Sequence, residues 1–273
     1  MRTRLAVILL CSLSVPSIVA QATKSEFFKT SDGIRIHIPG WTMPAWIWQK
    51  QIDEFSKKYH VIAVDPRSQG ESNKPNYGHL PETRAREYKE LVDHLGLKQP
   101  VFVGWSMACN ELIKYAEQFG TDNVGGLVLV DGYLTDKPSP ELFAFLSGWM
   151  NQLQQDRQKQ ADPFVRTMFK KPQPEDYLKR LINASVQVPA DTAALLIYNM
   201  LAIRDYSTGF ARTKCPLLFA YQPDTQPGAD FLKSKLGDKI RLERFDGDGH
   251  ALFVDEPEKF NHVLEEFVRS LPQ

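Results

Sequence analysis

Apolar runs of four to six residues alternate along this chain with longer stretches whose apolar positions recur at helical spacing. The runs predict strands at Ile34–Ile38, His60–Val64, Val101–Gly104, Gly126–Val130, Pro216–Tyr221 and Ile240–Phe245. Val61-Ile62-Ala63-Val64 and Leu127-Val128-Leu129-Val130 are continuously apolar rather than alternating. A strand that is apolar on both sides is buried on both faces, which is the condition of a parallel sheet covered by helices. The intervening stretches predict helices over Ala45–Lys58, Glu82–Leu95, Met107–Phe119 and Glu256–Leu271, each with one apolar stripe. Strand and helix in regular alternation predict an α/β fold with a doubly wound, mostly parallel sheet.

The rhythm breaks between about residues 133 and 212, where no strand pattern appears. Helical patterns over Glu141–Lys159, Pro174–Ala184 and Asp191–Ile203 are separated by Pro-containing turns. A single crossover seldom needs so long a connection. The segment therefore reads as a helical cap inserted before the penultimate strand.

The first residues follow neither period. Met1-Arg2-Thr3-Arg4 is basic, Leu5–Ala20 is almost wholly apolar, and Ala20-Gln21-Ala22 offers small residues at alternate positions. That combination reads as a secretory signal peptide over residues 1–22. The apolar run is interrupted by serines and a proline, and is short for a spanning helix. The expected product is a secreted or periplasmic domain over residues 23–273, with no stable membrane insertion after the leader is removed.

This division changes the meaning of the charge. The 273-residue chain has 33 basic and 33 acidic side chains and a formal net charge of zero. Removal of Arg2 and Arg4 leaves the remainder mildly acidic. With no long basic run, a nucleic-acid partner is not expected. Export would leave Cys109 and Cys215. Their predicted places lie at opposite ends of strands, farther apart than a disulfide allows, so two buried free thiols are expected.

The densest chemical signal is Val101-Phe102-Val103-Gly104-Trp105-Ser106-Met107-Ala108-Cys109. A buried strand ends, a G-x-S-x-A turn follows, and a helix begins. A sharp turn of this kind lifts the serine out of the sheet, and it needs small residues two before and two after, supplied by Gly104 and Ala108. A nucleophilic serine needs a base. Of the six histidines, His250 lies in the loop after the last strand, at the carboxyl edge of the sheet where Ser106 also sits. The base needs an orienting carboxylate. Asp224, in the loop after Pro216–Tyr221, is preferred, and Asp131, at the end of Gly126–Val130, is the alternative. Two amides must receive the oxyanion of an acyl-transfer intermediate. Met107 follows the nucleophile, and Trp41 lies in the bend Ile38-Pro39-Gly40-Trp41-Thr42-Met43. Trp105 and Met43, with Trp41 and Met107, are expected to wall the substrate pocket.

These segments resemble the α/β-hydrolase family, in particular its esterase and non-haem peroxidase branch. Pro39-Gly40-Trp41 resembles the oxyanion loop, with proline at the usual histidine. Asp65-Pro66-Arg67-Ser68-Gln69-Gly70-Glu71-Ser72 resembles the D-x-R-G-x-G-x-S loop, with Ser68 at a usual glycine. Gly104–Ala108 is the elbow and Asp248-Gly249-His250 the histidine loop. The resemblance implies the α/β-hydrolase fold, a Ser106–acid–His250 triad and no metal or organic cofactor. It implies a small-molecule ester substrate, with peroxidase, perhydrolase or lactonase chemistry as alternatives on the same triad. A monomer or weak homo-oligomer is expected.

One departure from the family pattern is plain. His37 runs straight into Ile38-Pro39-Gly40, about 12–18 residues short of the usual turn plus strand. Either Ile34–Ile38 doubles as the central strand, or the sheet is truncated and the protein is a non-catalytic binder or a decayed hydrolase.

Overall fold

The computed structural model describes residues 6–9, 19–23, 33–135, 140–202 and 206–272. Its strands are β1 (Ala6–Leu9), β2 (Val19–Thr23), β3 (Ile34–Ile38), β4 (His60–Asp65), β5 (Val101–Trp105), β6 (Gly126–Val130), β7 (Leu217–Tyr221) and β8 (Ile240–Arg244). Its helices are α1 (Gln49–Phe55), α2 (Pro81–His94), α3 (Met107–Phe119), α4 (Pro140–Gln155), α5 (Arg157–Thr167), α6 (Glu175–Val186), α7 (Ala190–Ala202), α8 (Ser207–Arg212), α9 (Gln226–Leu236), α10 (Leu252–Asp255) and α11 (Pro257–Arg269). The strands form one sheet in the order β1-β2-β4-β3-β5-β6-β7-β8. From β4 to β8 across the sheet all pairings are parallel. The doubly wound fold expected from the apolar rhythm is the fold observed.

The period of two sorts the side chains. Ile36, Ile62, Phe102, Leu129 and Phe219 face a layer made by α2, α3, α8 and α9. Val61, Val103, Val128 and Leu218 face the opposite layer, with Trp48, Phe253, Phe260 and Leu264. Each such side chain taken from water contributes about 1.5–3 kcal/mol, so the two apolar faces together dominate the stability of the sheet.

β3 lies between β4 and β5, with His37 opposite Ala63 on one side and Val103 on the other. Ile34–Ile38 is thus the central strand that leads directly into Pro39-Gly40-Trp41. This strand buries two residues that are poor candidates for burial. Arg35 lays its guanidinium 4.1 Å from the centre of the Tyr59 ring. His37 meets Trp48 edge-on, with ring centres 5.1 Å apart. Complete burial, with Arg35 nearby, lowers the His37 pKa to about 3, so its ring is neutral.

The backbone of β2 runs antiparallel to β4, with Val19 opposite Asp65 and Gln21 opposite Ala63, and β1 runs antiparallel to β2. β1 and all of β2 but Thr23 fall within the segment read as a leader, whose other residues, Cys11 included, lie outside the described residues.

Among the described residues, five helices, α4–α8, separate β6 from β7. The pattern over Glu141–Lys159 resolves into two helices, α4 and α5, with Asp156 as the N-cap of the second, accepting from the Lys159 amide. Of the five, α4, α5 and α7 share an apolar interior with Trp41 and Met107 at the carboxyl edge of the sheet, while α6 packs Leu178, Leu181 and Ile182 into the core that holds Trp48 and Phe253. α8 instead returns to the sheet layer: a Cβ on Gly209 would sit 2.5 Å from the Ile113 side chain of α3. The cap therefore closes before α8 rather than at 212. Cys109 and Cys215 are both buried free thiols.

Candidate functional site

The turn after β5 has the predicted form. Ser106 adopts φ 57° and ψ −118°, a left-handed geometry that is costly for a residue with a side chain. Its amide donates to Val130 O (2.8 Å), and α3 starts at the next residue. A Cβ on Gly104 would approach the Leu112 side chain to 2.7 Å and the Ala108 backbone to 3.2 Å. The small residues are required because strand and helix leave no room for more.

His250 follows β8 and is held from three directions. Its Nδ1 lies 2.6 Å from Asp131 Oδ2. Its carbonyl accepts from the indole of Trp105 (2.8 Å). The adjacent Gly249 amide donates to Asp255 Oδ2 (2.8 Å), and the same oxygen accepts from the Lys170 amide (2.8 Å). Asp255 thereby ties the histidine loop to the segment after α5.

The acid paired with the histidine is Asp131, which corrects the preference for Asp224. Asp131 is fully buried and turns sharply off the end of β6 at φ 47°. Its Oδ1 accepts from the Gln222 amide (3.1 Å) and the Thr225 hydroxyl, so its Oδ2 is free to face the imidazole. The loop after β7 supplies donors that orient the acid rather than the acid itself. Asp224 is exposed at the rim of the same cavity. The chain order Ser, Asp, His is satisfied by either aspartate, so order alone did not separate them.

Ser106, His250, Trp41 and Met107 line one cavity of about 540 Å³ between the sheet edge and the cap. Its far wall is Leu146, Trp149, Phe164, Ile197 and Met200, and its polar lining is Tyr133, Gln160, Lys170, Asp224 and the buried Gln222. Trp41 is the hinge between the two sides. Its indole donates to Ala193 O in α7 (2.8 Å), and its ring centre lies 4.9 Å from that of Trp149 and 4.8 Å from that of Phe164. Trp105 and Met43, expected in the pocket wall, belong instead to the core under the sheet. Strand alternation sends Trp105 to the same face as Val101 and Val103, away from the cavity.

The oxyanion loop rests on the nucleophile. A Cβ on Gly40 would lie 3.0 Å from the Ser106 Cβ and 3.1 Å from the Trp105 ring. Beneath the loop lies a polar group that the motifs alone do not disclose: Gln69 bridges the Gly40 and Met43 carbonyls (both 2.9 Å). The available signal is the placement of Arg84 and Glu111 on the apolar stripes of α2 and α3, where isolated charges would be costly and opposite charges pair.

Comparison with known proteins agrees with this geometry. The model of the alpha/beta hydrolase family matches residues 36–263. The chain belongs to that family. The AB hydrolase superfamily protein YisY of Bacillus subtilis is 25% identical over 247 residues, covering 86% of this chain and 91% of that protein. Among solved structures, an esterase from Exiguobacterium antarcticum superposes with a TM-score of 0.81 at 23% identity, covering 93% of this chain and 96% of that one. A bromoperoxidase from Bacillus anthracis gives a TM-score of 0.81 at 18% identity over 93% and 95% of the two chains. The hydrolase expectation, the fold and the esterase and peroxidase kinship thus agree with the comparisons; at these identities the structural likeness concerns the fold.

Proposed function

We propose that this α/β hydrolase cleaves carboxylic esters through an acyl-enzyme on Ser106. The observation that carries the reading is the 2.6 Å contact between His250 and the buried Asp131, in a cavity that His250 shares with Ser106. Asp131 fixes the imidazole with Nδ1 protonated, which leaves Nε2 as the base that takes the Ser106 proton. The serine oxygen attacks the ester carbonyl, and the amides of Trp41 and Met107 receive the negative charge. The Met107 amide belongs to the first turn of α3, where backbone N–H groups have no intrahelical acceptor and the helix dipole favours an anion. His250 then protonates the departing alcohol, and water, deprotonated by the same base, releases the acid.

The direct passage of β3 into Pro39-Gly40-Trp41 supports a catalytic role over a decayed or purely binding one, because the oxyanion loop reaches Ser106 without the additional strand. The wall of Leu146, Trp149, Phe164, Ile197 and Met200 supports an ester with an apolar acyl group.

The test is hydrolysis of p-nitrophenyl acetate, butyrate and octanoate by the wild type and Ser106→Ala. The expected loss is at least about 10³-fold in kcat/KM. A fluorophosphonate probe should add to the wild type, and peptide mass mapping should place the adduct on Ser106. Equal turnover by the two proteins would rule out the serine mechanism.

A further inference from the structure

The two proposed oxyanion donors come from segments far apart in sequence: Trp41 from the loop after β3, and Met107 from the start of α3. Their separation must be held to a fraction of an ångström for both amides to reach one oxygen. A continuous chain of buried polar groups joins the two segments behind the nucleophile. Gln69 Nε2 donates to the Gly40 and Met43 carbonyls, one on either side of Trp41-Thr42 (both 2.9 Å). Gln69 Oε1 accepts from Arg84 Nη1 (3.0 Å). The same Nη1 donates to Glu111 Oε1 (2.9 Å), while Nη2 donates to Arg67 O (2.7 Å). The other oxygen of Glu111 accepts from the Tyr88 hydroxyl. Glu111 stands one turn beyond Met107 in α3. Gln69, Arg84 and Tyr88 are completely buried, and Glu111 is 2% exposed.

We infer that Gln69 is a positioning residue for the oxyanion hole, clamping the Gly40–Met43 loop to the Arg84–Glu111 pair and so to the nucleophile helix. This inference rests on the acyl-enzyme reading above. The chemistry of the side chain is specific to the task. The Arg84 N–H demands an acceptor, which fixes Oε1 toward it and turns the amide nitrogen toward the two carbonyls. A carboxylate would face those carbonyls with a like dipole. An apolar side chain would take the Gln69 donor from the Met43 carbonyl, leave one guanidinium N–H buried without its acceptor, and leave the Gly40 carbonyl held by the Met43 amide alone (3.2 Å). In either case the loop moves away from Ser106, against which Gly40 is packed.

The test uses Gln69→Met, which keeps the length and volume of the side chain, Gln69→Glu, and Glu111→Gln as a second route to the same chain. With p-nitrophenyl butyrate the Gln69 variants should lose about 10–100-fold in kcat with little change in KM, since an interaction that matters in the transition state is removed. Affinity for an aryl trifluoromethyl ketone, which forms an oxyanion on the serine, should fall by the same factor. Affinity for the corresponding alcohol, which forms none, should stay unchanged. Glu111→Gln should reproduce the split in weaker form.

Two results overturn the inference: wild-type kcat and ketone affinity in Gln69→Met, or an equal loss of ketone and alcohol affinity. Should Gln69→Met not fold, Glu111→Gln decides by the same two ligands. Activity retained in Ser106→Ala would instead overturn the serine reading, whatever the Gln69 variants do, so the two failures are distinguishable.

Discussion

Asp131 and His250 meet at 2.6 Å although 119 residues separate them, and the contact joins the end of β6 to the loop after β8. The aspartate is fully buried, whereas the histidine side chain keeps 23% of its surface at the cavity. The arrangement is that of an orienting acid behind a working base. Asp131→Asn should therefore lower kcat/KM by on the order of 10²–10⁴-fold, because an amide in this place no longer selects the correct imidazole tautomer. Asp224→Asn, on the exposed rim, should change it only a few-fold. Steady-state kinetics on p-nitrophenyl butyrate decides. A large loss in Asp224→Asn with a small one in Asp131→Asn would invert the assignment.

The elbow and the histidine loop were legible in the sequence because each is a local pattern: small residues around Ser106, and a loop after a strand around His250. The acid was not, because two aspartates follow two adjacent parallel strands in the right order. What separates them is which carboxylate the neighbouring loop donates to, and Gln222 and Thr225 donate to Asp131. Trp105 was misplaced for a similar reason. Its position beside the nucleophile suggested the cavity, but the period of two turns it into the core. The central strand was legible as a strand, yet its burial of Arg35 and His37 runs against composition and depends on partners, Tyr59 and Trp48, that only the tertiary structure brings near.

Gly40 gives a second, steric test of the oxyanion loop. An added methyl would stand 3.0 Å from the Ser106 Cβ and 3.1 Å from the Trp105 ring, so the loop must shift away from the nucleophile. Gly40→Ala should lose about 10–100-fold in kcat, on the scale of other sub-ångström misplacements at reacting centres. Gly148 in α4 is the control. A methyl there meets nothing within 4 Å, and Gly148→Ala should gain about 0.5–1 kcal/mol from helix propensity with unchanged kinetics. Thermal melts and rates on the pair separate loop displacement from a general effect of added bulk.

The buried histidine of β3 sets a pH dependence of stability. His37 has its pKa lowered from 6.5 to about 3 in the folded chain, by burial first and by Arg35 second. Below pH 6.5 the unfolded chain takes up a proton that the folded chain does not, so stability falls as pH drops from about 6.5 toward about 3. For one such group the slope approaches about 1.4 kcal/mol per pH unit. His79, buried beside Arg84 and Arg67, has its pKa lowered to about 4 and adds to the same trend. His37→Leu should remove part of the slope. Urea unfolding between pH 7 and pH 4.5 measures it, and equal slopes in the wild type and the variant would exclude His37 as a cause.

The amino-terminal segment makes the last prediction. The leader reading removes residues 1–22, and with them β1 and most of β2, leaving β4 as the edge of a six-stranded parallel sheet. The site does not depend on the lost strands: the family match begins at residue 36, and the nucleophile, base, acid and proposed oxyanion donors lie between Trp41 and His250. The cost falls on β4, whose Ala63–Asp65 backbone pairs with Val19–Gln21. A protein beginning at Thr23 should keep kcat/KM within about twofold, as expected for a change away from the site, and melt a few degrees lower. Intact mass of the exported protein should correspond to a start at Thr23. A chain from Thr23 that cannot fold, together with an exported or retained protein of full mass, would show that β1 and β2 are permanent strands of the sheet and that the apolar start of the chain is not a discarded leader.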